Sequence, residues 1–122
     1  MSATLPKCER LSGKTAAPEL IARGRWGHEG CLRFCYASGS GLPYNRIIVS
    51  VPKKRFRRAV MRNLLKRRMR EAYRRNKSLA GCSGIDILFV YDSAEALGSV
   101  LLCEDLKRAL LAIGEKCRPE TL

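Results

Sequence analysis

Few residues in this chain could carry out bond-making chemistry. His28 is the only histidine. A general base needs a nucleophile and an orienting group close by, and the sequence around His28 offers neither. His28, Cys31 and Cys35 could supply three metal ligands, with Cys82 or a carboxylate as the fourth. Their spacing matches no common zinc pattern, and on a strand Cys31 and Cys35 would simply share a face with Arg33. Ser12-Gly13-Lys14-Thr15 resembles the end of a phosphate-binding loop, but Cys8 stands where its first glycine belongs and no strand precedes it. Glu104-Asp105 reads as a helix-surface pair, and two-metal nuclease chemistry needs several convergent carboxylates. No catalytic and no metal-ligating residue is therefore assigned. If the chain takes part in a reaction, it does so by binding.

What it would bind is written in the charge. The 122 residues include 24 Lys and Arg against 11 Asp and Glu, a formal net charge of +13. Residues 53 to 77 hold 13 of the basic residues and one acid, Glu71, so this stretch carries +12 and the remainder +1. Solubility needs only a modest charge and no clustering. Such a concentrated field attracts polyanions and speeds their capture.

The length suits one domain, taken as residues 1–122, and the 46% hydrophobic fraction suffices for a packed core. The longest near-continuous apolar run, Ile85 to Tyr91, is far short of the ~20 residues of a membrane helix. The amino end shows no apolar stretch behind a basic start, so a cytoplasmic chain is expected, and its six cysteines read as free thiols.

The elements that must position the basic stretch follow from periodicity. Thr15 to Arg23 reads as a short helix ended by Gly24, with Pro18 in its first turn. A short strand over 25–29 precedes Leu32, Phe34 and Tyr36, whose alternation with polar and small residues predicts a second strand. Its aromatic face offers a stacking platform for single-stranded bases, with ordinary core packing as the competing reading. Asn45 to Val51 is a further strand, and across the turn-rich segment 38–43 the two look like a hairpin. From Lys53 to Ala80 no Gly or Pro intervenes, which predicts one long helix. Val60, Met61, Leu64, Leu65, Met69, Ala72 and Tyr73 form its apolar side. Asn63, Lys66, Arg67, Arg70 and Arg74 form its outer stripe, and Arg68 falls among the apolar positions. Ile85 to Tyr91 reads as an interior strand. Ser99 can cap a last helix that buries Val100, Leu102, Leu106, Ala109, Leu110 and Ile113. The result is an α+β sandwich of helices against one small sheet, in the order αβββαβα.

The run Arg58-Ala-Val-Met-Arg-Asn-Leu-Leu-Lys-Arg-Arg-Met-Arg-Glu-Ala-Tyr-Arg74 resembles the signature of the bacterial ribonuclease P protein family. Arg58, Ala59, Val60, Arg62, Asn63, Lys66, Arg67, Arg70 and Glu71 all match. The order of elements, Val51-Pro-Lys-Lys54 and the Asp86 strand agree. The resemblance implies a mixed four-stranded sheet with a left-handed βαβ crossover around the basic helix. It implies a monomeric protein, one copy per catalytic RNA, that supports removal of the 5′ leader from precursor tRNA. The RNA would carry the active site and its Mg2+, with no metal held tightly by the protein alone and no membrane involved. Arg58, Arg62, Asn63, Lys66, Arg67 and Arg70, with Arg74 on the same stripe, would contact the catalytic RNA. Phe34, Tyr36, Lys53 and Lys54 would serve the leader, in a cleft between the sheet and the first helix. Ala17 and Ile21 stand where the family often has two Phe residues in that helix. A non-enzymatic RNA-binding protein, such as a ribosomal or assembly factor, would use the same basic helix. A DNA-binding regulator would normally need a dimer seam or second recognition helix, and a membrane-surface helix would need the apolar face that the core requires.

Overall fold

The computed structural model describes residues 7–11, 15–81, 83–93 and 98–117. The loop-like Ser12-Gly-Lys14 lies outside the described residues, as does the side chain of Ser99. A 3-10 turn at Lys7–Glu9 precedes α1 (Ala16–Arg23), β1 (Arg25–Glu29), β2 (Leu32–Ala37), β3 (Arg46–Ser50), α2 (Ala59–Asn76), a second 3-10 turn at Lys77–Ala80, β4 (Asp86–Tyr91) and α3 (Ser99–Cys117). The strands form one mixed sheet in the order β1-β2-β4-β3, with β1/β2 and β2/β4 antiparallel and β3/β4 parallel. The α+β class and element order match the reading of the sequence.

The hairpin expected between β2 and β3 does not exist. β4 lies between them, and the true hairpin joins β1 to β2 through Gly30. The reason is burial. Ile87, Leu88, Phe89 and Tyr91 are all buried, so β4 needs cover on both faces and takes a central place. The connection 38–45 spans the gap, with Gly39 and Gly41 in left-handed conformations. At the real turn Gly30 has φ 55°, and a Cβ there would lie 2.4 Å from the Asp105 carboxylate. That carboxylate of α3 accepts a hydrogen bond from the Cys31 backbone N–H at 3.0 Å.

Strand parity divides the side chains between two faces. Leu32, Phe34, Tyr36, Ile47, Val49, Ile87, Phe89 and Tyr91 pack under α2 and α3, against Leu65, Met69, Tyr73, Leu102, Leu106, Leu110 and Ile113. On the other face α1 sets Leu20 on Cys35 and Leu88, with Leu11, Ala37, Ile48 and Val90 around them. Asp86, 1% exposed, pins this smaller layer. Arg46 grips it in a two-pronged contact, Nε and Nη2 each donating at 2.8 Å, and Arg23 of α1 donates to the same carboxylate at 2.8 Å.

Two further expectations are corrected. The basic helix begins at Ala59, not Lys53. After Pro52 the chain turns, its carbonyl accepting from the Arg55 and Phe56 N–H groups. Phe56 then packs edge-on to Tyr91, ring centroids 5.6 Å apart, which holds 53–58 as a loop. Val60 and Val100 are 81% and 74% exposed rather than buried, each sitting in the first turn of its helix.

Cys31 and Cys35 do not share a face: Cys31 belongs to the main core and Cys35 packs under α1. Burial, helped by Asp105, pushes the Cys31 thiol up to about 12, and burial also raises Cys35. None of the five described cysteines is in a disulfide, and Cys8 is exposed. Brief alkylation of the native protein is therefore expected to label Cys8 and to spare Cys31 and Cys35 until denaturant is added, with mass mapping as the check.

Candidate nucleic-acid interface

α2 is a helix with two unlike sides. Leu65, Met69, Ala72 and Tyr73 are buried against the sheet and α3. Asn63, Arg67 and Arg70, spaced i, i+4, i+7, stand exposed on the outer side, and Lys66 is half-buried beside them. Among the described residues Lys66, Arg67 and Arg70 have no carboxylate partner within ion-pair distance. Burial of its stem, and then Arg10 nearby, lower the pKa of Arg70, though a guanidinium remains charged. The single acid, Glu71, is occupied by Arg74 and Arg75, and both pairs hold its carboxyl below the usual range. Arg74 thus belongs to the stripe with its charge already balanced.

Arg62 has a different place from the one expected. It is half-buried, and its Nη1 donates to the carbonyls of Phe56 and Arg57, 2.8 Å each. It braces the loop that leads into α2. Arg62→Ala is expected to cost about 1–2 kcal/mol of stability, read as a lowered chemical-denaturation midpoint, in addition to any loss of RNA affinity.

The amino end of α2 concentrates more positive charge. Lys53, Lys54, Arg57 and Arg58 are exposed there. No acid occupies the first helical turn, so the helix dipole adds its positive end to theirs. Arg55 is the exception, donating to Asp92 at 2.9 Å.

The other face of the sheet is only partly covered. Trp26 and His28 on β1, Arg33 on β2, Ile48 on β3 and Val90 on β4 share it by register. Trp26 is 44% exposed, and the Arg33 guanidinium lies 4.8 Å from its ring centroid. Ile21 of α1 is exposed too. Phe34 and Tyr36 are not on this face. They are 3% and 7% exposed and point into the core under the helices; the Phe34 ring lies where a Cβ on Gly27 would stand. They offer no stacking surface, and core packing is the reading that applies. The exposed aromatic is Trp26, which periodicity alone had not singled out. Its signal was parity: Trp26 pairs with Cys35 and so points away from the aromatic face.

His28 is exposed on β1, with Nε2 3.8 Å from Asp92, whereas Cys31 and Cys35 lie on opposite sides of the sheet. The three do not converge. Among the described residues no cluster of three His, Cys, Asp or Glu side chains is placed to hold a metal ion, and no helix is long and apolar enough to cross a membrane.

A parallel β3–α2–β4 unit that carries a basic helix, completed by an antiparallel hairpin and two further helices, is the fold of the bacterial RNase P proteins. The protein from Thermotoga maritima superposes with a TM-score of 0.76 at 25% identity, covering 86% of this chain and 97% of that one. The Staphylococcus aureus RNase P protein gives 0.74 at 22% identity, over 89% and 97%. The family model described as Ribonuclease P matches residues 5–114, and the chain belongs to that family. Its curated relatives include the ribonuclease P protein component of Porphyromonas gingivalis, 46% identical over 77 residues, which is 62% of this chain and 56% of the relative. That of Chlorobaculum tepidum is 36% identical over 80 residues, 62% and 52%. The chain spans about half the length of the curated relatives it matches.

Proposed function

We propose that this protein is the protein subunit of ribonuclease P, which binds the catalytic RNA and the single-stranded 5′ leader of precursor tRNA and so supports removal of the leader. The observation that carries this reading is the outer side of α2, where Asn63, Lys66, Arg67 and Arg70 stand without carboxylate partners among the described residues, in a chain of the ribonuclease P family. Arg58, Lys66, Arg67 and Arg70 would meet phosphates of the catalytic RNA, and Asn63 would supply a neutral donor and acceptor for bases or sugar hydroxyls.

The leader is assigned to the open sheet face. Lys53 and Lys54 stand just beyond the end of β3 and would meet its phosphates, while the Trp26–Arg33 pair gives an aromatic ring and a guanidinium plane on which a base can stack. Trp26 then supplies the aromatic stacking surface that Ala17 and Ile21 do not. Trp26→Ala is expected to weaken precursor tRNA binding about tenfold with catalytic-RNA affinity unchanged, and Trp26→Phe to restore most of it; titration of the reconstituted enzyme with labelled substrate reads both.

The mechanism is electrostatic. Catalyst and substrate are both polyanions, and the protein places a cationic helix against one and a basic, stacking surface against the other. Substrate affinity rises and less magnesium is needed, while the bond-breaking step is left to the RNA. The carboxylates of Glu9, Glu71, Asp86 and Asp92 are engaged by Lys77, Arg74, Arg46 and Arg55 respectively and do not converge. On the family reading the magnesium is assigned to the RNA, and no step is routed through this chain's residues.

The test is the salt dependence of binding to the catalytic RNA. Roughly six phosphate contacts give a log–log slope of about −4 to −5. A slope near zero would contradict the reading.

A further inference from the structure

A second cationic site lies away from α2. At the far end of the sheet from Lys53, a cavity of about 310 Å³ is framed by Arg23, Arg25, Tyr36, Ser38 and Lys116, with Ala37 and Cys117 completing its wall. It collects side chains from α1, β1, β2, the loop after β2 and α3, five segments that only the tertiary fold brings together. Three cations face it. Arg23 spends one nitrogen on Asp86 yet keeps half of its side chain exposed. Arg25 and Lys116 have no carboxylate within ion-pair distance among the described residues. The Tyr36 ring is buried, and Tyr36 and Ser38, which line the same hollow, add neutral hydroxyls beside the cations.

Helix dipoles account for part of this. Arg23 ends α1 and Lys116 lies in the last turn of α3, where a cation is favoured in any protein. They do not account for Arg25, which belongs to a strand. Nor do they account for the hydroxyls, or for the convergence of three cations on one concavity in a chain whose charge outside residues 53–77 is nearly balanced. Guanidinium, ammonium and hydroxyl donors around a small polar hollow are the complement of a phosphate oxyanion.

We infer that this pocket holds a backbone phosphate of an RNA strand, a third contact beyond α2 and the sheet face. Its position says how a strand would reach it. Arg25 is the residue before Trp26, and β1 is an edge strand, so a strand stacked on Trp26 can pass over the free edge of the sheet and bring its next phosphates to Arg25, Arg23 and Lys116. The phosphate can belong to the distal part of a long leader or to the catalytic RNA; the chemistry is the same. The inference rests on the reading of the protein as an RNA-binding subunit.

The test uses the full chain as Arg25→Ala with Lys116→Ala, leaving Arg23 to its structural pairing, alongside the exposed single charge reversal Lys116→Glu, which preserves the fold if the double variant does not. The expected result is a three- to tenfold loss of affinity for precursor tRNA with a long leader, and a salt slope shallower by about 0.7 per lost contact. Short-leader substrate and catalytic-RNA affinity would stay unchanged, which assigns the phosphate to the leader. An equal loss for the catalytic RNA, regardless of leader length, assigns it to that RNA instead and still supports the site. Unchanged affinity for every RNA in both variants, with or without a fall in Tm, would overturn the inference and leave the cations as helix-end complements. If the wild-type protein fails to stimulate cleavage at all, the subunit reading fails separately. The pocket is then judged on the protein alone with a single-stranded oligoribonucleotide: weaker binding by the variants supports it and equal binding overturns it.

Discussion

Replacing Asn63, Arg67 and Arg70 together with alanine is expected to weaken binding to the catalytic RNA by about 100-fold or more while leaving Tm within a few degrees of wild type. The three side chains are exposed and lie on one stripe of α2. Each arginine that meets a phosphate contributes a charge-assisted contact of about 1.5–3 kcal/mol, and about 1.4 kcal/mol is tenfold in affinity. The salt slope should become shallower by about 1.4–1.8, for two lost phosphate contacts. Stability has little reason to fall, because alanine is the better helix former and exposed substitutions usually stay within about 0.5 kcal/mol. Arg62 is left out on purpose: it braces the loop before α2 through the Phe56 and Arg57 carbonyls, so its loss would mix folding with binding. Filter binding and thermal melts on the same variant separate the two quantities. Retained RNA affinity would remove α2 from the interface, and a large fall in Tm would make the stripe structural.

The second large effect concerns stability alone. Asp86→Ala leaves Arg46 and Arg23 without their shared buried carboxylate. Removing one partner of a buried ion pair commonly costs 3–5 kcal/mol. Both arginine heads here reach solvent in part, so the expected cost is lower, about 2–4 kcal/mol, or roughly 10 °C in Tm for a chain of this size. Because Arg23 belongs to α1, protection of the α1 amides from hydrogen exchange should fall before that of α2. Asp86→Asn keeps the shape and one acceptor and should lose less. A variant as stable as wild type would mean that α1 is held by Leu20 packing alone.

These two predictions separate what the sequence made legible from what it did not. The signature from Arg58 to Arg74 was visible because a helix repeats its faces every 3.6 residues, so charge and apolarity sort themselves on paper. Strand parity was visible too, since Leu32, Phe34 and Tyr36 do share a face. Which face was not. An alternating aromatic strand serves a core or a ligand equally well, and only the helices packed on one side decide that Phe34 and Tyr36 are core and Trp26 is exposed. The placement of β4 between β2 and β3 is likewise a property of the whole sheet, because local turn residues look the same for a hairpin and for a crossing. Arg62 shows the same limit on a smaller scale: its spacing puts it beside the outer stripe, but the loop carbonyls that draw its guanidinium inward come from Pro52 ending β3 and Phe56 anchoring in the core. The Arg23–Arg25–Lys116 pocket had no sequence signal, since its members are 2 and 91 residues apart along the chain.

The central claim is that the protein lets an RNA catalyst work on an RNA substrate. It is tested most directly by cleavage of a precursor tRNA with the cognate bacterial catalytic RNA at low magnesium, with and without this protein. The account predicts cleavage at the mature 5′ end that depends on the protein, a dependence that fades as magnesium is raised enough for the RNA to act alone. Tight binding to the RNA with no stimulation at low magnesium would contradict it, and would leave a basic RNA-binding protein with a ribosomal or assembly role.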